Sequence, residues 1–309
     1  MLRPHPTNCE VMKQIGTVCL AGLSAFSAIL GGCGDSTTPL NTSQLFSPSA
    51  DSSPAMAKAQ RPLLYATAGD SQMLVYLYPH LKQRFDLSPG AQPERECSDR
   101  QGDVFVFTLD GLVEYHHGGV SPVTTIDVEG ESCSVDPVTG DLAVTEEYES
   151  EILIFRDTKL GWHLPATRTV SFQPASCAYD DQGNLYVDAT LGGKLALAEL
   201  PKGMKTFTSI EVNQPFKLAG SVQWDGAYLA VTQSANPPAI YRYLINGTAA
   251  TLAGKTSLKG ANILAETWIF SRHVVAAADS GIYIWKYPQG GSFVKTIAIE
   301  TAGGVTVSI

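Results

Sequence analysis

Cys177-Ala-Tyr-Asp-Asp-Gln-Gly-Asn-Leu-Tyr-Val187 recurs along the chain in imperfect copies. A recurring unit fixes an architecture before any single residue is interpreted. An earlier copy reads Cys97-Ser-Asp-Arg-Gln-Gly-Asp-Val-Phe-Val106. Another, one residue longer in its turn, reads Cys133-Ser-Val-Asp-Pro-Val-Thr-Gly-Asp-Leu-Ala-Val144, and a later one Ser221-Val-Gln-Trp-Asp-Gly-Ala-Tyr-Leu-Ala-Val231. Each joins two apolar stretches through an Asp and a Gly. The Asp carboxylate accepts from backbone N–H groups just ahead, and Gly supplies a positive φ, so the unit reads as a β-hairpin.

Outward from the hairpin comes a third strand ending in aromatics, as in Val75-Tyr-Leu-Tyr78, Leu153-Ile-Phe155, Ile240-Tyr-Arg-Tyr243 and Ile282-Tyr-Ile-Trp-Lys-Tyr287. A fourth follows after Gly, Pro or Lys. Four antiparallel strands per repeat make a propeller blade. The steps from Cys97 to Cys133, Cys177 and Ser221 are 36, 44 and 44 residues, and the next equivalent position falls near Thr267. The mean of about 42 suits one blade per repeat. Residues 62–309 then hold six, giving an all-β, six-bladed β-propeller. Leu63–Thr67 and Met73–Tyr78 read as second and third strands with no first. Gly304-Val-Thr-Val-Ser-Ile309 reads as the missing innermost strand, which seals the ring and leaves no long unpaired edge.

Residues 1–33 read as an export signal. Arg3 and Lys13 precede Thr17–Leu30, an uncharged run too short for a membrane span and suited to a signal core. Leu30-Gly31-Gly32-Cys33 resembles a lipobox, which implies a bacterial lipoprotein anchored through lipid on Cys33 at the periplasmic or extracellular face of a membrane. The alternative is a plain signal peptide. Residues 34–61 contain 12 Ser, Thr or Pro among 28 and read as a disordered tether. The formal charge is −9 and no repeat carries a basic stripe, so nucleic acid is not an expected partner.

Cys97, Cys133 and Cys177 share one repeat position at the entry to the innermost strands. The first reading is a small hydrophobe near a crowded axis. A disulfide between adjacent blades is the alternative in an oxidising compartment, and a metal or redox role a third. His116 and His117 are neighbours on a strand and point to opposite faces, so they do not share a metal. Glu146, Glu147, Tyr148, Glu149 and Glu151 crowd the loop between second and third strands of one blade, on the face where chain enters the innermost strands. They are the ligand-face candidates, either a soluble acidic loop tip or oxygen ligands for a divalent cation such as Ca²⁺. Asp70, Asp110, Asp188 and Asp279 read as turn residues of comparable loops.

The template of apolar strand, Asp-x-x-Gly-Asn and Leu-Tyr-Val resembles NHL-repeat propellers and their gluconolactonase-like and TolB-like relatives, over about residues 62–309. The resemblance implies the fold. Gluconolactonase-like members hold a divalent metal with a Glu, Asn and Asp set, which falls on no matching positions here. A streptogramin lyase needs a His near a metal-binding Glu, and His116, His163 and His273 show no such partner in sequence. The functional expectation is therefore a binding or scaffold module taking a protein, glycan or small-molecule ligand. The alternative is a metal-dependent hydrolase or lyase at the channel mouth.

Overall fold

In the computed structural model, residues 60–309 are described, apart from 70, 147, 158–160 and 279. Blade one holds β1 (Leu63–Ala68), β2 (Gln72–Leu77) and β3 (Lys82–Leu87), and blade two β4 (Pro93–Ser98), β5 (Val104–Thr108), β6 (Gly111–Tyr115) and β7 (Thr124–Ile126). Blade three is β8 (Ser132–Val135), β9 (Leu142–Thr145), β10 (Glu151–Phe155) and β11 (Ala166–Thr169). Blade four is β12 (Ser176–Tyr179), β13 (Leu185–Leu191), β14 (Lys194–Leu200) and β15 (Thr208–Ile210). Blade five is β16 (Ala219–Trp224), β17 (Leu229–Gln233), β18 (Ala239–Asn246) and β19 (Ala249–Lys259). Blade six is β20 (Glu266–Phe270), β21 (His273–Ala278) and β22 (Gly281–Lys286), followed by the short β23 (Gly291–Ser292) and β24 (Lys295–Ala298). The chain ends on β25 (Val305–Ser308), which pairs antiparallel with β1 from Leu63↔Ser308 to Ala66↔Val305 and completes blade one. The ring closes as the terminal segment implies. One strand crosses between blades: β23 leaves blade six to run parallel beside β19, making a five-stranded sheet.

The hairpins form for the reason their sequence gives. Asp99 Oδ1 accepts from Asp103 N at 2.7 Å, Asp136 Oδ1 from Val138 N at 2.8 Å, and Asp180 Oδ1 from Gln182 N and Asn184 N at 2.8 and 2.9 Å. Gly183 holds a φ of +86°. Blade six lacks the glycine, and Ser271 takes its place at φ +56°. Second strands lie between neighbouring sheets, so β5, β9 and β17 are buried at every residue.

An innermost strand has one edge in its own sheet and one facing the axis, where its N–H groups lack ladder partners. Side-chain groups from neighbouring blades meet them, or the carbonyls beside them. Ser134 Oγ accepts from Tyr179 N at 3.0 Å, Ser176 Oγ from Val222 N at 2.7 Å, and Ser221 Oγ from Thr267 N at 2.9 Å. Gln223 accepts from Ile269 N at 2.6 Å and donates to Ile269 O at 2.9 Å. Glu266 Oε2 accepts from Val305 N at 2.8 Å, and Ser98 Oγ donates to Val307 O at 3.1 Å. Between β4 and β8 the link is covalent, a Cys97–Cys133 disulfide with Cα atoms 5.7 Å apart.

Three sequence readings change here. Cys97 and Cys133 are paired across blades and are not free small hydrophobes. Nor do they share one repeat position: Cys133 pairs with Val144 and Cys177 with Val187, whereas Glu96 pairs with the matching Val106 and Cys97 with Phe105, after an irregularity between Pro93 and Glu96. By loop entropy a 36-residue separation corresponds to about 4 kcal/mol. Cys177 alone fits the hydrophobe reading: it is buried and free, and burial pushes its thiol up to about 12. Ser221 is not the counterpart of the cysteines. Cys177 pairs with Val187, whereas Val222 pairs with Val231, so Val222 takes the cysteine position after an irregularity between Ala219 and Val222.

Candidate functional site

The propeller presents two faces. Strands alternate in direction, so the loops joining second to third strands emerge with the connections between blades. The Asp–Gly hairpins emerge opposite, together with the links from third to fourth strands.

On the connection face, β9 and β10 place Glu146, Tyr148 and Glu149 in their joining loop and Glu151 at the start of β10. Tyr148 is 78% exposed with φ +67°. The Glu146 carboxyl is held above the usual range, first by partial burial and then by the charges of Glu151 and Glu149. Like charges are therefore gathered on a short loop set by a rigid hairpin. Glu147 lies outside the described residues, as do Cys33, the export signal, the tether up to residue 59, Asp70 and Asp279. Asp110 behaves as a turn residue, with its N–H donating to Thr108 Oγ1 at 3.2 Å. Asp188 does not: it sits inside β13, fully buried, because the strand continues to Leu191 before turning.

The axial channel, about 230 Å³, is lined by innermost strands and holds an uneven set of charges. Glu266 lies in blade six and Glu96 in blade two, on either side of β25. Glu266 Oε2 accepts from the N–H groups of Val305 at 2.8 Å and Glu96 at 3.3 Å. Burial pushes its carboxyl up to about 7, against the opposing pull of Arg95. Glu96 is 1% exposed, and neither of its carboxyl oxygens has a hydrogen-bond partner. Burial and then the Glu266 charge hold it well above the usual range, and the Thr306 N–H opposes this without reaching hydrogen-bond geometry. Asp188, raised to about 7 by burial, accepts from Ser176 Oγ at 2.7 Å, the same hydroxyl that accepts from Val222 N. At the hairpin-face mouth Asp181 joins three blades, pairing with Arg100 and accepting from Trp224 Nε1 at 2.9 Å.

The histidines are dispersed. His116 Nδ1 meets Asp103 at 2.9 Å and His117 Nδ1 meets Ser308 Oγ at 2.5 Å, so the neighbours point apart, although they follow β6, which ends at Tyr115, and do not lie on a strand. His273 packs edge-on to Tyr78. Among the described residues no group of three His, Cys, Asp or Glu side chains is placed to hold a metal ion.

Sequence reasoning missed a cleft of about 790 Å³ between blades three and four, on the hairpin face. It is assembled from Arg156 and residues 163–165 of one third-to-fourth strand link, residues 201–205 of the next, and β11. Arg156, His163, Arg168, Lys202 and Lys205 line it. No local signal marks it, since each link alone reads as an ordinary polar loop and the juxtaposition arises from two repeats.

The buried carboxyls generate a pH prediction. Glu96, Asp188 and Glu266 have folded pKa values above their unfolded ones, so the native state binds protons the unfolded chain has released. Their contribution is present in full below the unfolded carboxyl range and is lost as pH rises toward about 7, with a slope up to about 1.4 kcal/mol per pH unit for each proton. Denaturation midpoints should fall across that window. Glu266→Gln, which keeps an acceptor for both N–H groups, should flatten the slope. Stability that rises through the window, or an unchanged slope in the variant, contradicts this account of the channel.

No family model matches the chain, and no curated protein matches it. Solved structures do. A chain of the nidogen/laminin complex superposes with a TM-score of 0.63 at 10% identity, covering 80% of this chain and 98% of that one. A protein of unknown function from Bacteroides caccae gives 0.60 at 8% identity over 81% and 99% of the two chains. A provisional 6-phosphogluconolactonase from Bacteroides uniformis gives 0.56 at 14% identity over 81% and 86%. At such identities the likeness is one of fold.

Proposed function

We propose that this chain is an exported, lipid-anchored binding module whose propeller presents a ligand-recognition surface on the connection face, around Glu146, Glu147, Tyr148, Glu149 and Glu151. The observation that carries the reading is the acidic loop. Glu146 is held above its usual range partly by Glu149 and Glu151, next to an exposed tyrosine. Concentrated like charge on a rigid frame disfavours the free state and is relieved by a cationic partner, either a basic protein surface or a divalent cation. Loops that differ in chemistry on a fixed scaffold are a frequent seat of binding. The turn at Gly192 and Gly193 is glycine-only with both φ positive, whereas Asn236, Pro237 and Pro238 border a recess of about 390 Å³ with Lys255 and Lys259. The Cys97–Cys133 disulfide supports export, because such bonds persist in oxidising compartments. A related fold in the nidogen/laminin complex supports a protein-binding role.

Cys33→Ser should remove the lipid attachment and release the protein from membrane fractions or block its processing. A variant that stays membrane-bound with unchanged mobility contradicts the anchor.

A photocrosslinking residue in place of Tyr148 should trap a partner in the intact envelope, and Glu146→Gln with Glu147→Gln and Glu149→Gln should cut that yield several-fold without lowering the melting temperature. If the partner is a divalent cation, Ca²⁺ should raise the melting temperature of the wild type and not of the triple variant. Absence of both an adduct and a cation shift, or equal responses from the triple variant, removes the acidic loop from the binding surface.

A further inference from the structure

We propose that the cleft between blades three and four, on the hairpin face and so opposite the acidic loop, binds an acidic peptide segment carrying aliphatic side chains. The argument begins with charge. In a chain of formal charge −9, four Lys or Arg side chains and His163 converge on one recess. Among the described residues the ion pairs are Arg100–Asp181, His116–Asp103 and Arg242–Asp225, so none of the cleft cations is neutralised by a carboxylate at contact distance. The Nε of Arg168 is buried with no hydrogen-bond partner, while its Nη1 donates to Thr167 O at 2.9 Å. The exposed heads of Arg156, Lys202 and Lys205 are the donors an arriving carboxylate would meet, and the partly buried Arg168 adds its charge to the same wall.

The two aspartates in the recess offset part of this charge without forming a contact ion pair with a cleft cation. Both oxygens of Asp136 are used by its own hairpin, Oδ1 by Val138 N and Oδ2 by Thr139 Oγ1. Asp141 is held above the usual range mainly by burial, with Arg156 pulling it down. Converging positive charge within a concave, partly desolvated wall focuses the field on an anion and speeds its capture.

The apolar part of the lining selects among anions. Leu164 is 95% exposed and Met204 57% exposed, and both line the recess. Among the described residues lining the cleft the one phenol is Tyr179, which is partly buried. Exposed aliphatic groups in the same lining as these cations match a peptide in which acidic and aliphatic side chains alternate. A volume of about 790 Å³ accommodates several residues.

The test uses the purified protein and labelled acetylated peptides of alternating Glu and Leu or alternating Lys and Leu, followed by fluorescence anisotropy. The Glu–Leu peptide should bind, more weakly as salt is raised, and the Lys–Leu peptide should not. Arg156→Glu with Lys205→Glu, both exposed positions, should weaken Glu–Leu binding at least tenfold and confer binding of the Lys–Leu peptide, with the melting temperature unchanged. Glu146→Gln, Glu147→Gln and Glu149→Gln, on the other face, should leave Glu–Leu binding as it is, so failure here and failure of the connection-face reading are separate results. The proposal is overturned if the wild type does not prefer the Glu–Leu peptide, if the charge reversal leaves its affinity unchanged, or if a sulfated oligosaccharide binds the cleft and the peptide does not displace it.

Discussion

Everything in this ring depends on what is done with the axial edge of each innermost strand. A blade satisfies its own ladders, but its first strand would still expose unpaired N–H groups toward the channel, each costly if buried without a partner. The chain answers with side-chain oxygens set about 45 residues before the N–H groups they accept from: Ser134 for Tyr179, Ser176 for Val222, Ser221 for Thr267 and Gln223 for Ile269. At closure the acceptor becomes Glu266, which bonds both the terminal strand at Val305 and the next blade at Glu96. The remaining junction, β4 to β8, carries the disulfide.

This solution explains the charges of the channel. A serine hydroxyl serves a single junction at no electrostatic cost, but the closing junction joins three strands and uses a longer acceptor. Placing Glu266 beside Glu96 across β25 puts two carboxyls in a buried space, and both are driven toward the protonated form. Stability and channel acidity are then one property. The same closed frame leaves both faces free to differ, with carboxylates gathered at Glu146–Glu151 and cations in the cleft between blades three and four.

Much of this was legible in the sequence because it is local. Asp99, Asp136 and Asp180 declare their hairpins through carboxylates that act within four residues, and the unpaired Gly304–Ile309 segment declares the closure. The rest is set by blade-to-blade geometry. Cys97 and Cys133 could be placed on adjacent innermost strands, but the irregularity in β4 sets Cys97 one residue off the position of Cys133, and their pairing depends on how closely those strands approach. The irregularity in β16 moved the repeat by one residue and hid Val222 behind Ser221. Asp188 resembled a loop residue because nothing nearby in sequence shows that β13 runs on to Leu191. The basic cleft was invisible for the strongest reason: Arg156, residues 163–168 and residues 201–205 gain meaning only when two blades stand side by side.

Native-state hydrogen exchange tests the junction account most directly. The amides of Tyr179, Val222, Thr267, Ile269 and Val305 donate to side chains of a neighbouring blade. If the ring is locked in this way, they exchange as slowly as the ladder amides of the buried second strands and open only with global unfolding. If instead they exchange at the rate of exposed hairpin amides such as Gln101, the blades are held together by packing alone and the junction bonds do not close the ring.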